Sequence, residues 1–265
     1  MKADHRATLL RRHFFSHGLF SVTFRCPDLA AAVLPGQFAM VEVPDRVRPY
    51  LRRAYSVADS NPRGGEIELL IKTIGPGTAT LEVLPEGSTV RLLGPMGNSF
   101  TLGDLQSGSK VAIVAGGIGA APFPLLLAAL RAASVGCDLY LGGRNARELS
   151  IRTRFENCVP GETILTSDDG SLGEKGFVTE ALRRRLEAGT RYARVFACGP
   201  MPMFATLARV TTGAGVAAEF STEADMGCGF GACLGCVIPG TEKPFITSCI
   251  EGPILAPEKI AWEKR

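Results

Sequence analysis

Eleven residues near the end of the chain, Met226 to Cys236 ("MGCGFGACLGC"), hold three cysteines and four glycines, and a fourth cysteine follows at Cys249. From about residue 218 onward the chain is rich in these two residues and too short for an independent hydrophobic core. Such a piece needs a staple, and the clustered cysteines are the obvious one. The remaining cysteines, Cys26, Cys137, Cys158 and Cys198, are scattered.

The clustered four are spaced C-x4-C-x2-C-x12-C, over Cys228, Cys233, Cys236 and Cys249. A zinc site usually draws two close cysteine pairs from separate knuckles. Here three thiols come from one short loop, as if wrapped around something wider than a single ion. The x4-then-x2 order with a distant fourth cysteine is the plant-type spacing for a [2Fe-2S] cluster. Gly227, Gly229, Gly231 and Gly235 let the backbone fold tightly, with N–H groups aimed at sulfur. Structural zinc and inert buried cysteines are the competing readings.

The rest of the 265 residues divide by rhythm. Up to about residue 101, short strand-forming runs ("FSVTFRC", "QFAMVEVP", "AYSVADS", "GEIELLIKTI") alternate with the turn signals "LPGQ", "NPRGG", "GPGT", "LPEGS" and "LGPMGN". That spacing predicts a small antiparallel β-barrel. From about Lys110 to residue 217, strands alternate with helices. "KVAIVAG", "CDLYLGGR", "GETILTSDD" and "ARVFACG" read as strands, and "PLLLAALRAA", "ARELSIRTRFEN", "FVTEALRRRLEA" and "PMFATLARVTTGAG" as helices. This is the pattern of a doubly wound parallel sheet. The expected division is 1–101, 102–217 and 218–265.

Bulk properties exclude several classes. A formal net charge of +3 is too small to imply nucleic acid, and the arginine-rich run Leu182 to Arg194 has leucines spaced for one helix face, so it reads as a solvated helix surface. The uncharged stretch Val111 to Leu130 has the length of a membrane span. Its β-branched start, "GGIG" turn and post-proline helix formers read instead as strand, turn and helix. The first dozen residues are charged and lack an export signal, so a reducing cytoplasm is expected, without structural disulfides.

Within this frame, short motifs mark cofactor sites. "RAYS", Arg53 to Ser56, offers an arginine for a phosphate, an aromatic ring for stacking and a hydroxyl donor. "LIKTIGPGT" ends in Gly77 and Thr78, a turn suited to a pyrophosphate. "AGGIGAAP" joins the first strand of the sheet to its first helix, and Cys198–Gly199 follow the fourth strand, where open α/β sheets bind ligands. Each alone is weak, since tight strand–helix packing also selects glycine, and Cys198 alone reads as a small buried hydrophobe.

Taken in order, "PGQF", "RAYS", "GPGT", "GGIG", "CGP" and the cysteine cluster resemble the ferredoxin-NADP+ reductase superfamily. With "DDGSLGEKGFVTEAL" and "CIEGPIL", nearly the whole chain resembles the electron-transfer subunits of class 1B dihydroorotate dehydrogenases. The resemblance implies FAD on Arg53, Ala54, Tyr55 and Ser56, with Leu70, Ile71 and Lys72 flanking the isoalloxazine and Gly77 and Thr78 at the pyrophosphate. It implies NAD at Gly116, Gly117, Gly119, Cys198 and Gly199, and a [2Fe-2S] cluster on Cys228, Cys233, Cys236 and Cys249. The family often has Pro-Ile or Pro-Phe where this chain has Ala54-Tyr55. Arg144 and Arg147, after the second strand of the sheet, leave NADP open. The implied partner is an FMN-containing dihydroorotate dehydrogenase catalytic subunit in a two-plus-two heterotetramer. Electrons from dihydroorotate then reach NAD+ in pyrimidine (UMP) biosynthesis, and no catalytic acid or base is named. The alternatives are an electron-transfer subunit of a sulfide dehydrogenase, ferredoxin:NADP reductase or hydrogenase complex, and a zinc-stapled binding module.

Overall fold

A computed structural model describes residues 2–42 and 51–262. Strands β1 (Ala3–Ser16), β2 (Leu19–Arg25), β3 (Phe38–Glu42), β4 (Arg53–Asn61), β5 (Glu66–Lys72) and β6 (Thr89–Met96) form a closed antiparallel barrel in the order β1-β2-β5-β4-β3-β6. Helices α1 (Pro27–Ala32) and α2 (Pro76–Val83) lie between them. The expected strand over 37–44 appears as β3, and its last two residues lie outside the described ones. The core is filled by alternating side chains such as Phe20, Val22, Phe24, Ile67 and Leu69. On β2 the intervening Ser21 and Thr23 are buried as well, because the second domain covers the barrel's outer face there.

Three barrel elements differ from the sequence reading. The charged N-terminus is a 14-residue strand whose exposed residues alternate with Ala7 and Leu9 facing inward. "LGPMGN" begins inside β6, and only Gly97, at φ +74°, turns the chain. "GPGT" is no isolated turn: Gly75 precedes α2, and Pro76, Gly77 and Thr78 form its first turn. Proline suits that position because it lacks the N–H that a first turn leaves unpaired.

The second domain is built on β7 (Lys110–Gly116), α3 (Phe123–Ala132), β8 (Gly136–Gly143), β9 (Thr163–Ser167), β10 (Glu174–Lys175), α4 (Val178–Glu187), β11 (Val195–Cys198), α5 (Met201–Ala214) and β12 (Ala218–Ser221). The five central strands are parallel in the order β9-β8-β7-β11-β12. β7 is apolar on both faces, as burial under helices on each side requires. The uncharged stretch Val111 to Leu130 is therefore β7, a 3₁₀ turn and α3. Among the described residues no helix is long and apolar enough to cross a membrane. On α4, Arg183 pairs with Glu180 and Glu187, Arg184 with Glu174 and Arg185 with Glu162, so this run is a neutralised surface.

The helix expected over "ARELSIRTRFEN" is instead a run of 3₁₀ turns, Glu148–Phe155. Its side chains are claimed by the barrel. Arg154 reaches Asp59 at 2.6 Å and Glu68 at 2.7 Å, Glu148 receives Lys72 at 2.7 Å, and Arg147 donates to the His17 carbonyl at 2.9 Å. The β-branched Ile151 and Thr153 weaken the α-helical alternative. This segment clasps the domains together beside an apolar seam of Leu19, Ala58 and Leu70 with the α/β core.

The C-terminal piece contains β13 (Val237–Pro239), β14 (Phe245–Thr247), α6 (Ser248–Glu251) and β15 (Ile254–Leu255). β13 and β14 form a hairpin, and β15 returns to the large sheet, pairing antiparallel with β12. Both β12 and β15 thus belong to that sheet although they fall after residue 217. Asn98, at the barrel exit, ties the piece down. Its backbone N–H donates to the Gly252 carbonyl at 2.7 Å, its Nδ2 donates to the Ile254 carbonyl at 2.8 Å, and its Oδ1 accepts from the Ile254 N–H at 2.9 Å.

In the interior of the sheet, near the start of β8, Asp138 is fully buried. It accepts from Lys110 Nζ and Tyr192 Oη, both at 2.7 Å, and from the Glu162 N–H at 2.9 Å. Burial alone raises this carboxyl, but these three donors outweigh it and hold it below its ordinary 3.8. Asp138→Ala removes the acceptor shared by Lys110, Tyr192 and the Glu162 N–H, while Tyr192 keeps Tyr140 Oη at 2.7 Å and the half-exposed Lys110 turns to solvent, so the expected cost is ~1–3 kcal/mol in denaturant unfolding of the α/β domain. Because the folded-state value is depressed, the carboxylate's contribution is complete above pH 3.8 and fades as the pH falls below it. The wild-type-to-variant difference should narrow only in acid.

Candidate functional site

The four clustered cysteines come together at the junction of the C-terminal piece and the barrel. Their thiols fall into two neighbouring pairs, Cys228 with Cys233 and Cys236 with Cys249, and Cys228 lies close enough to Cys249 for their charges to interact. Among the described residues no three His, Cys, Asp or Glu side chains converge to hold one metal ion. Two thiol pairs side by side are the donor set of two irons, two thiolates each. The backbone cooperates: the N–H groups of Phe230 and Cys233 each approach Cys228 Sγ at 3.4 Å. Burial pushes the Cys228 thiol up, but these donors prevail and lower it to about 6. Cys249 is raised to about 12 by burial and by Cys236. All eight cysteines are free.

Two glycines show why the loop has this composition. Gly229 and Gly231 have φ +79° and +86°. A Cβ on Gly229 would stand 2.5 Å from Met40 Cγ, and one on Gly231 would overlap Ile250. The loop therefore lies directly on the barrel, and Cys236 and Cys249 share a small core with Phe38, Met40 and Met96, with Ala54 packed against it. Met40 is the cross-strand neighbour of Ala54, so the cluster lies behind the "RAYS" strand. Outward, Cys233 is exposed amid Phe230, Leu234 and Ile250, which are each at least half exposed.

"RAYS" opens β4, and all four of its residues are half-buried. Tyr55 Oη is buried without a hydrogen-bond partner among the described residues, and burial raises the phenol to about 12. A buried hydroxyl without a partner costs free energy unless a bound group supplies one. Arg53 Nη1 rests on the Leu51 carbonyl at 2.6 Å. Leu70 and Ile71 are buried in β5, whereas Lys72 is drawn to Glu148. Gly77 and Thr78 stand in the first turn of α2, whose unpaired N–H groups suit a phosphate. Thr78 Oγ1 accepts from the N–H groups of Ile74 and Gly75 at 3.0 and 3.1 Å, so its hydroxyl shapes that turn.

Gly116, Gly117 and Gly119 end β7 and enter a 3₁₀ turn, Gly117–Ala120. Cys198 and Gly199 end the adjacent β11. The chain leaves β7 toward β8 on one side and reaches β11 on the other, so the two loops face each other at the point where strand order reverses, the usual dinucleotide crevice. A Cβ on Gly119 would overlap the Cys198 carbonyl. That glycine serves loop-on-loop packing, whereas Gly117, at φ +56°, meets only the Glu148 carboxylate at 3.8 Å. Cys198 is fully buried, and burial raises its thiol well above the ordinary value, so it is a neutral wall of the crevice.

Two residues of the crevice escaped the sequence reading. Glu223 follows β12 and is raised by desolvation among the crevice walls while keeping solvent access. Its negative charge reaches Cys198. It was hidden because "AEFSTE" was read with the cysteine-rich piece. Glu148 gave no motif signal, since its partners lie on other elements.

Comparison with known proteins agrees with this layout. Residues 6–100 match an oxidoreductase FAD-binding domain, residues 113–209 an oxidoreductase NAD-binding domain, and residues 223–261 the iron-sulfur cluster binding domain of dihydroorotate dehydrogenase B. The Desulforamulus reducens protein called dihydroorotate dehydrogenase B (NAD(+)), electron transfer subunit, is 35% identical over 97% of this chain and 98% of its own. The Aquifex aeolicus homolog of that subunit is 34% identical over 98% and 99%. Among solved structures, a chain from the NADH-dependent reduced ferredoxin-NADP oxidoreductase superposes with a TM-score of 0.86 at 25% identity, covering 97% of this chain and 90% of that one. A ferredoxin reductase of carbazole 1,9a-dioxygenase superposes with a TM-score of 0.69 at 27% identity over 81% of this chain and 67% of that one. With FAD, NAD and iron–sulfur modules in this order and full-length relatives above 30% identity, the chain belongs to the family of dihydroorotate dehydrogenase B electron transfer subunits.

Proposed function

We propose that this chain carries electrons from an FMN-containing dihydroorotate dehydrogenase catalytic subunit, through [2Fe-2S] and FAD, to NAD+ in pyrimidine synthesis, within a two-plus-two heterotetramer. The observation that carries the reading is the placement of Cys236 and Cys249 in one core with Met40 and Ala54, behind the strand assigned to the flavin. When bound, the cluster supplies one-electron transfer and the flavin supplies exchange between single electrons and a hydride.

The residues divide the work. Cys228, Cys233, Cys236 and Cys249 hold the cluster, with the N–H groups of Phe230 and Cys233 offsetting negative charge on sulfur. Tyr55 donates its unsatisfied hydroxyl to the flavin, Arg53 and the first turn of α2 bind its pyrophosphate, and Ala54, Ser56, Leu70, Ile71 and Lys72 shape its bed. Gly116, Gly117 and Gly119 admit the dinucleotide backbone, while Cys198 and Gly199 bound the nicotinamide end. The exposed Phe230, Leu234 and Ile250 around Cys233 form an apolar rim suited to a partner subunit.

The whole-chain match to a ferredoxin-NADP oxidoreductase chain favours one second reading, a related subunit serving another NAD(P)H-linked complex. Copurification from the native host decides. An FMN protein and dihydroorotate:NAD+ activity support the first reading, and a different large partner overturns it. Flavin and iron–sulfur absorption bands in anaerobically purified protein, with iron and no zinc, are expected as well.

Cys233→Ser should remove the cluster's spectral and paramagnetic signature and abolish partner-driven NAD+ reduction, while NADH oxidation by ferricyanide at the flavin persists. Tyr55→Phe should weaken FAD binding by about 0.5–1.5 kcal/mol in a flavin titration, the size of one lost hydrogen bond. Gly119→Ala should force the two crevice loops apart, costing ~1–3 kcal/mol of stability in denaturant melts and raising the KM for NADH.

A further inference from the structure

We propose that Glu148 sets the nucleotide preference of this chain by keeping the Arg144 guanidinium occupied and placing a carboxylate beside the adenosine ribose, which excludes a 2′-phosphate. This rests on the reading of the crevice as a dinucleotide site.

Arg144 follows β8, the second strand of the sheet, where dinucleotide folds read the adenosine ribose. An arginine there ordinarily welcomes the 2′-phosphate of NADP. Here its charge is already committed. Nε and Nη2 of Arg144 donate to Glu148 Oε1 at 2.9 and 2.6 Å, and its backbone N–H donates to Oε2 at 3.0 Å. The carboxylate cannot easily swing away. Lys72 Nζ reaches Oε1 at 2.7 Å from the barrel, and Asn145 Oδ1 accepts the Glu148 N–H at 3.2 Å. The pair is sheltered at its carboxylate end alone: the Glu148 side chain is 16% exposed and that of Arg144 71%. The second arginine is turned toward the barrel, where Arg147 Nη2 donates to the His17 carbonyl at 2.9 Å.

Glu148 also faces the nucleotide loop, with Oε2 3.8 Å from where a Gly117 side chain would begin. Asp168, just after β9, donates its N–H to the Gly143 carbonyl at the end of β8 at 3.1 Å and adds negative charge near Arg144. A phosphate monoester entering here must compete with Glu148 for Arg144 while facing two carboxylates. A ribose hydroxyl instead finds acceptors. Rejection of the larger anion thus comes from a built-in repulsive element rather than from the absence of cations.

The test uses the FAD-loaded protein with ferricyanide as acceptor, comparing kcat/KM for NADPH and NADH, together with calorimetric binding of 2′,5′-ADP and 5′-AMP. The wild type is expected to favour NADH. Glu148→Gln should raise the NADPH:NADH ratio, and the relative affinity for 2′,5′-ADP, at least ~10-fold, as expected for removing one charge beside a partly buried phosphate. Adding Arg144→Ala to that variant should erase the gain. Arg144→Ala in the wild-type background gives a readout that does not depend on Glu148→Gln folding well: the ratio should move by less than about 2-fold, because the guanidinium is already occupied. The inference is overturned if Glu148→Gln with an intact flavin spectrum leaves the ratio unchanged, if its gain survives Arg144→Ala, or if Arg144→Ala alone collapses NADPH use. A wild type that oxidises neither nucleotide overturns the dinucleotide reading, and this inference with it.

Discussion

Met40 is pinned between the "RAYS" strand and the cysteine loop, and much of the molecule is arranged around that contact. Electron transfer demands close centres with no water-filled gap, and a buried thioether packed on a glycine at φ +79° provides that closeness. The requirement propagates in both directions. It makes bare backbone necessary at Gly229, and it seats the cysteine loop on the barrel's β3–β4 pair. The thioether fills an irregular gap that a branched side chain would fit less readily.

A second constraint holds the flavin and nucleotide halves in register. The 3₁₀ segment Glu148–Phe155 places Arg154 against Asp59 and Glu68 and Glu148 against Lys72, next to the Leu19, Ala58 and Leu70 seam. Exposed ion pairs contribute little, but these are partly sheltered and sit beside an apolar interface that shields them from solvent. The same carboxylate that joins the domains through Oε1 also faces the Gly117 loop through Oε2.

The barrel, the parallel sheet and the four cluster cysteines were legible because each rests on local periodicity or fixed spacing. β2 and β5 alternate or run apolar as strands do, and the helices α3, α4 and α5 carry their own apolar faces. What was not legible depends on contacts distant in sequence. β1 is not among the strand runs named from the sequence, because its outward face is charged and its inward face shows in few residues such as Ala7 and Leu9. "ARELSIRTRFEN" has helix-compatible spacing, but its side chains are claimed by Asp59, Glu68 and Lys72 far upstream. At the sites, glycine loops gave their positions away, whereas Glu223 and Glu148 have meaning only through their neighbours. Gly119 shows the opposite limit: a residue read as a ligand contact is required by the Cys198 carbonyl behind it.

The return of β15 to the large sheet gives the cysteine-rich piece an architectural duty besides holding iron. β12 would otherwise be the terminal strand on that side, and β15 covers its outer edge antiparallel. A bare strand edge invites pairing between molecules. The redox appendage is therefore not a freely exchangeable cassette. A lineage that discarded it to make a simple two-cofactor reductase would inherit a sticky border and would need a new strand, a bulge or a charge to cap it.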